Sequence, residues 1–356
     1  MLQQNTIIYQ LIRVIVLGGL STLFSFIMAP LVLKFLQKKR MIQHIHQDPN
    51  APIFAAMHEK KEGTPTTAGI LIWGTILLFA FTFWVLSFFS PLFANFFNFV
   101  SRSETLLILG IMTIAALVGL LDDLFIIYNV GPKKGGGLGM KERIYIYIFT
   151  GLIGAAWFFW KLQWDVVLIP FGKLAHLGLF YPLFFVFIFV ACAFSMNETD
   201  GIDGLAAGVS MIGLIAYLVI VFVQGRYNVA VLLAVALGSL LAYLWHNINP
   251  AKFFMGNTGS MALGVLFGIL AMYTNTPLFL PLLLLIPMLE SGSVIIQLAY
   301  KKTHHGKKLF LSTPFHHHFE ALGWPETKVT MRFWMIQGMG AMVGVLLYLL
   351  NILLIK

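Results

Sequence analysis

One cysteine, 14 acidic residues and no polar tract long enough to separate domains leave this 356-residue chain short of what a water-covered protein needs. The lone Cys192 excludes an intrachain disulfide and is silent on compartment. Charged residues make up 10% of the chain against 59% hydrophobic, with a mean hydropathy of +0.87, which excludes a soluble globule of this length. Internal repeats and low-complexity segments are missing, which argues for one bundle. The glycine-rich segments Gly63-Thr64-Pro65-Thr66 and Lys133-Lys134-Gly135-Gly136-Gly137 lack Walker spacing, so a phosphate loop of that kind is excluded. The first apolar run is too long for a cleaved leader and no small-residue cleavage site follows it, so it reads as a retained span.

What the chain has in abundance is apolar sequence. Crossing roughly 30 Å of hydrocarbon takes about 20 residues of helix. About ten stretches qualify: 7–36, 68–90, 104–127, 144–162, 178–196, 202–224, 227–246, 257–274, 277–300 and 329–354. The expected fold is all-α, a polytopic membrane protein with these helices in one integral membrane domain over 1–356. The net charge of +9 does not point to nucleic acid, because threading ten spans gathers most lysines and arginines on one side, from Lys34 to Arg40, Lys60, Lys61, Lys133 to Arg143, Lys252 and Lys301 to Arg332. The positive-inside rule makes that side cytoplasmic and both termini extracytoplasmic. Contact with anionic lipid accounts for most of these charges. The expected cytoplasmic loops are 37–67, 127–143, 197–204, 246–258 and 301–328.

That threading brings the rare polar clusters to one face: Asp122-Asp123, the run from Asn197 through Asp200 and Asp203 to Gly204, the segment from Asn247 to Asn257, and His316-His317-His318. Carboxylates at the ends of membrane helices are costly and mark functional sites. Neighbouring carboxylates with exposed backbone amides suit a hard, oxygen-seeking ion such as Mg²⁺ together with substrate phosphates. Three successive histidines on a helix diverge by about 100° each and cannot all hold one metal. They suit a phosphate or a sugar hydroxyl instead. Phe254 is placed either to stack on a base or to anchor at the membrane interface. Glu290, inside the ninth span, reads first as structural.

Thr64-Pro65-Thr66, Asp122-Asp123, Asn197 through Gly208, Asn247 through Gly259 and Pro314 through Glu320 resemble, in order and over nearly the whole chain, the signature regions of the phospho-N-acetylmuramoyl-pentapeptide transferases, a branch of the polyprenyl-phosphate N-acetylhexosamine-1-phosphate transferase superfamily. The histidine triplet followed by Gly323-Trp324-Pro325-Glu326 resembles the peptidoglycan branch in particular. The resemblance implies a ten-helix, homodimeric enzyme of the bacterial inner membrane with a Mg²⁺-dependent cytoplasmic site. It implies transfer of phospho-N-acetylmuramoyl-pentapeptide from UDP-MurNAc-pentapeptide to undecaprenyl phosphate, giving lipid I and UMP. Under that pattern Asp122 and Asp123 serve the lipid phosphate and, with Asn257 and Asp200, the metal. Asn197, Asp200 and Asp203 line the diphosphate pocket, while Lys61, Thr66, Asn247 and Phe254 surround the uridine. One or more of His316, His317 and His318 meet the sugar phosphate.

The chain departs from the pattern at specific places. Asn257 stands where a metal-ligating Asp is expected, Ile126 and Arg143 where lysines are expected, and Phe194, Glu198 and Thr67-Ala68 also differ. An amide oxygen lacks the charge that offsets desolvation of a dication, and arginine changes donor geometry. Lys133, Lys134 or Lys141 could supply the missing positive charge. Three alternatives stay open: transfer of N-acetylglucosamine-1-phosphate for another envelope polymer, a degenerate relative, and a transporter. Transporters place such groups nearer mid-membrane.

Overall fold

A computed structural model describes residues 2–42, 61–102, 104–131 and 136–355. Hydrocarbon offers the backbone no hydrogen-bond partner, so each apolar stretch closes its own amides into a helix. The sequence yields α1 (Leu2–Lys38), α2 (Ile70–Leu86), α3 (Leu106–Ile127), α4 (Met140–Ala156), α5 (Tyr181–Thr199), α6 (Leu205–Val223), α7 (Tyr227–Asn247) and α8 (Gly256–Tyr273). It continues with the short α9 (Leu280–Leu283), then α10 (Leu285–Thr303), α11 (Phe315–Ala321) and α12 (Glu326–Ile355). Among the described residues the only sheet is one antiparallel hairpin, β1 (Val166–Leu168) with β2 (Leu174–His176), which pairs Val166 with His176.

Among the described residues, eight helices are long and apolar enough to cross a membrane, nine if a bent pair is counted as one span, and α2 is a shorter apolar helix of 17 residues. Every one of the ten expected stretches is thus helical, and the chain is an all-α polytopic membrane protein.

Packing sets which helices are central. α1 runs along α7, α3 and α5 flank α8, and α6 lies between α7 and α12. In α8, 89% of the spanning window is buried inside the protein, against 28% in α1, so α8 is the axis and α1 a rim that faces lipid. Small residues permit the close approach at the axis: a Cβ on Gly264 would come within 2.8 Å of the Ala193 Cα on α5.

The sequence reads 277–300 as one uninterrupted span, and the structure corrects this. Pro277–Leu283 and Leu285–Thr303 meet at 93°. The reason is local chemistry. Pro287 has no amide to return to the Leu283 carbonyl, and the buried Gln337 of α12 supplies the missing donor, its Nε2 reaching that carbonyl at 2.7 Å. Its Oε1 accepts the Ile286 amide at 3.0 Å. One amide side chain therefore satisfies both backbone groups that the break exposes.

Candidate active site

Asp123, at the end of α3, is buried and accepts the amides of Asn257 and Thr258 at 2.8 and 3.1 Å. These are among the first amides of α8, which have no partner within their own helix, so a carboxylate from a neighbouring helix caps them and meets the positive end of the helix dipole. Gly256, at φ +71°, makes the turn that aims these amides, and a Cβ there would run into the Asp123 carboxylate. The α8 N-terminus is thus nested against α3.

Asp122, one residue earlier, is fully buried and committed in two directions. Its Oδ1 accepts the Leu138 amide at 2.6 Å, and its Oδ2 lies 3.0 Å from Nη2 of Arg143. Arg143 extends from the first turns of α4 and also donates through Nη1 to Asn197 Oδ1 at 3.0 Å. Asn197 Nδ2 in turn donates to Asn257 Oδ1 at 2.9 Å and to Ser260 Oγ at 3.2 Å. A continuous polar chain therefore runs Asp122, Arg143, Asn197, Asn257 across α3, α4, α5 and α8. Two departures from the family pattern, Arg143 and Asn257, are its second and last links, and Glu198 lies within electrostatic reach of Arg143.

The metal set expected from the sequence is Asp122, Asp123, Asn257 and Asp200, and its members meet here from α3, α8 and the end of α5. Among the described residues no three Asp, Glu, His or Cys side chains gather as a cation site. Asp123 accepts the α8 amides through both oxygens, and the Asn257 amide oxygen accepts from Asn197. Asp200 differs: among the described residues its carboxylate makes no hydrogen bond or ion pair. Burial pushes it up to about 7, with Lys61 pulling it down and Asp203 pushing it further up. Its charge and that of Asp122 both act on Asp123, so the three carboxylates share one neighbourhood. This donor chemistry fits a Mg²⁺ ion bound through one or two carboxylates and completed by substrate phosphates, rather than a cage formed by protein alone.

Next to it lies a second cluster. Lys61 Nζ meets Asp203 Oδ1 at 2.7 Å and Glu326 Oε1 at 2.5 Å. Asp203 Oδ2 accepts Asn249 Nδ2 at 2.9 Å and the Ala251 amide at 3.0 Å, while its own amide donates to Glu326. Asn247 Oδ1 accepts the Gly204 amide at 3.1 Å and its Nδ2 donates to the Phe253 carbonyl. Asp203 and Asn247 therefore fold the loop between α5 and α6 onto the loop between α7 and α8. Lys61 Nζ also stands 5.7 Å from the centre of the half-buried Phe254 ring. That ring is held by its backbone, which bonds to Pro65 and Ala68, and Thr66 is tied to the Met41 carbonyl at 2.9 Å. Cation, aromatic face and amides form the wall that the sequence placed near a base.

The histidine triplet splits as its helical geometry requires. His316 Nδ1 pairs with Glu290 Oε2 at 3.0 Å, and His317 Nδ1 with Glu320 Oε2 at 2.8 Å. His318 Nδ1 accepts the Leu311 amide at 3.2 Å, which gives it a local, loop-holding contact. Glu290, read first as structural, is thus a partner of His316. Lys141 is exposed, and among the described residues it has no hydrogen-bonding partner. Lys133 and Lys134 lie outside the described residues.

Sequence reasoning missed Glu326 and Asn249 as members of the Lys61 cluster, and the pairings of Glu320 with His317 and of Glu290 with His316. For Glu326 a signal existed, since it ends the Gly323-Trp324-Pro325 segment. For Glu290 the only signal was its cost within a span.

The profile of Glycosyl transferase family 4 matches residues 105–275. The phospho-N-acetylmuramoyl-pentapeptide-transferase of Thermodesulfovibrio yellowstonii is 34% identical, the match covering 94% of this chain and 91% of the relative. The enzyme of that name from Anoxybacillus flavithermus is 33% identical, covering 92% and 95%. That of Listeria monocytogenes is 34% identical, covering 95% and 98%. Near full-length similarity, with the polar clusters joined as above, places the chain: it belongs to the phospho-N-acetylmuramoyl-pentapeptide-transferase family.

Proposed function

We propose that this chain is a phosphoglycosyl transferase that moves phospho-N-acetylmuramoyl-pentapeptide from UDP-MurNAc-pentapeptide to undecaprenyl phosphate, forming lipid I and releasing UMP. The observation that supports this most is the junction itself. Residues from α3, α4, α5 and α8 join in one polar network at helix ends, and the cluster that holds Lys61 lies beside it. A site at the ends of membrane helices opens both to a water-borne diphosphate and to a lipid-tethered phosphate.

Phosphoryl transfer demands positioning and charge stabilisation more than covalent chemistry. In this reading Lys61 and the Phe254 face hold the uridine end, with Thr66 and Asn247 shaping that wall. Asp203 does not touch substrate directly; it fixes Lys61. Arg143 and Asn197 face the diphosphate, and Lys141 lies at the rim. Asp122 receives or orients the attacking lipid phosphate, and Asp123 holds the α8 N-terminus so that its amide end faces the reacting centre. His316 and His317 meet the sugar phosphate. Mg²⁺ would be held by Asp122 and Asp200 with the donor's diphosphate oxygens, and when bound it would spread the charge that develops on the bridging phosphate.

In this reading the site faces the cytoplasm of a bacterial inner membrane and both termini face the opposite side, an orientation that the lysine distribution supports. The whole chain acts as one membrane domain and works as a homodimer. Among the rivals, an N-acetylglucosamine-1-phosphate transferase is separated by donor competition: the purified protein, given undecaprenyl phosphate and both UDP-sugars, is expected to consume UDP-MurNAc-pentapeptide. Preferred turnover of UDP-N-acetylglucosamine would reverse the assignment.

A further inference from the structure

Glu290 is a carboxylate with no exposed surface, set inside α10, one turn beyond the break at Leu284. Ionisable groups persist at such depth when they act on something. Its Oε2 receives two groups from one residue, the His316 amide at 3.3 Å and the His316 ring Nδ1 at 3.0 Å. With Glu290 ionised, Oε2 accepts both the amide N–H and an Nδ1–H, which places the ring proton on Nδ1. The ring, fully buried, then turns Nε2 toward Gly201, in the turn between Asp200 and Asp203. A Cβ on residue 201 would collide with that nitrogen. Gly201 has no positive φ, so the backbone does not require glycine there. The approach of the imidazole does.

We infer that Glu290 is a positioning residue: it fixes His316 in one tautomer and one orientation, so that Nε2 presents a hydrogen-bond-accepting nitrogen to an O–H group of the bound sugar-phosphate donor at the 200–204 turn. This rests on the transferase reading for what the imidazole meets, while the tautomer itself does not depend on it. The arrangement follows the logic by which a carboxylate sets an imidazole in hydrolytic triads, with the carboxylate orienting and stabilising rather than exchanging the proton. The charged groups around the pair are His317, which acts on Glu290 directly, Glu198 from α5, and Glu320 across His317.

The test uses the full-length protein in detergent with ¹⁵N-labelled histidine. Wild type is expected to show His316, assigned by its loss in His316→Asn, protonated on Nδ1. Glu290→Leu should change that signal to the other tautomer or a mixture. Among folded variants, kcat should fall at least about tenfold in Glu290→Leu with the KM for the donor changed by less than about twofold, because orientation is lost and uridine binding is not. Glu290→Gln keeps an accepting oxygen and should retain the tautomer with a smaller loss. Gly201→Ala, remote from Glu290, should lower kcat in the same way by displacing the ring. A wild-type His316 protonated on Nε2, or folded Glu290→Leu and Gly201→Ala variants with unchanged kcat, would overturn the inference. A wild type that transfers nothing but shows the expected tautomer shift on Glu290→Leu would strike the transferase reading and leave the positioning intact.

Discussion

At the scale of single residues, the most informative side chains are those whose bonding partners restrict their chemistry. Asn257 accepts from Asn197, which in turn accepts from Arg143. Restoring a carboxylate in Asn257→Asp keeps that acceptor and adds a charge at the end of the chain that leads through Asn197 to Arg143. Affinity for Mn²⁺, read by paramagnetic resonance in the presence of UMP, is expected to rise about tenfold, since charge-assisted contacts are roughly twice as strong as neutral ones; unchanged affinity would remove position 257 from the cation's surroundings. Asp200 gives a pH signature. Its carboxyl is raised from 3.8 to about 7 in the fold, so the folded state binds the proton more tightly than the unfolded one. The stability it contributes is full below pH 4 and is lost as pH rises through about 7. Thermal unfolding in detergent without metal should therefore show a falling midpoint between pH 5 and 8 in wild type and a flatter profile in Asp200→Asn. Stabilisation by added MgCl₂ and UMP should run the other way, larger at pH 8 than at pH 6. Most site residues were legible at this scale because carboxylates, amides and histidines are rare in an apolar chain. Their partners were not: nothing in spacing says that Asp123 meets amides 134 residues away, or that Glu326 shares Lys61 with Asp203.

Individual helices were the easiest elements to read, because hydrocarbon leaves a chain few options and every apolar run became a helix. Where a helix breaks was harder. Pro287 sits in the first turn of α10, a position proline tolerates, and the 93° bend depends on Gln337, which is 51 residues beyond Ile286 and becomes a partner only once α12 packs there. Gln337→Leu should strip two backbone groups of their partner at once and destabilise the protein by about 2–4 kcal/mol, given roughly 1–3 kcal/mol for each buried group left unpaired. The check is the midpoint of thermal or denaturant unfolding, and a shift of less than about 0.5 kcal/mol would show that the bend has another cause. The bend matters for the site because Glu290 lies just beyond it. The hairpin of β1 and β2 went unread, since two strands of three residues carry too little pattern.

For the whole molecule, a single transfer site requires every polar cluster to open on one side of the membrane. Cys192 is buried, so single cysteines introduced elsewhere report on sidedness without a competing thiol. Cysteines replacing the exposed Lys141 and Lys307 should react with an impermeant reagent only from the cytoplasmic side, and one replacing the exposed Lys173 only from the opposite side. The all-α, membrane-spanning architecture was legible because composition fixes the solvent. The way α8 is nested as the central axis was not, because its enclosure comes from neighbours that no periodicity within α8 names.

The most direct measurement is transfer itself. Purified wild-type protein, given radiolabelled UDP-MurNAc-pentapeptide, undecaprenyl phosphate and Mg²⁺, should produce labelled lipid I and an equal amount of UMP, with Asp122→Asn folded but reduced at least about 100-fold. Intact folding with no lipid I from the wild type, or an undiminished rate in Asp122→Asn, would contradict the claim that these buried carboxylates and their partners form a phosphoglycosyl transfer site.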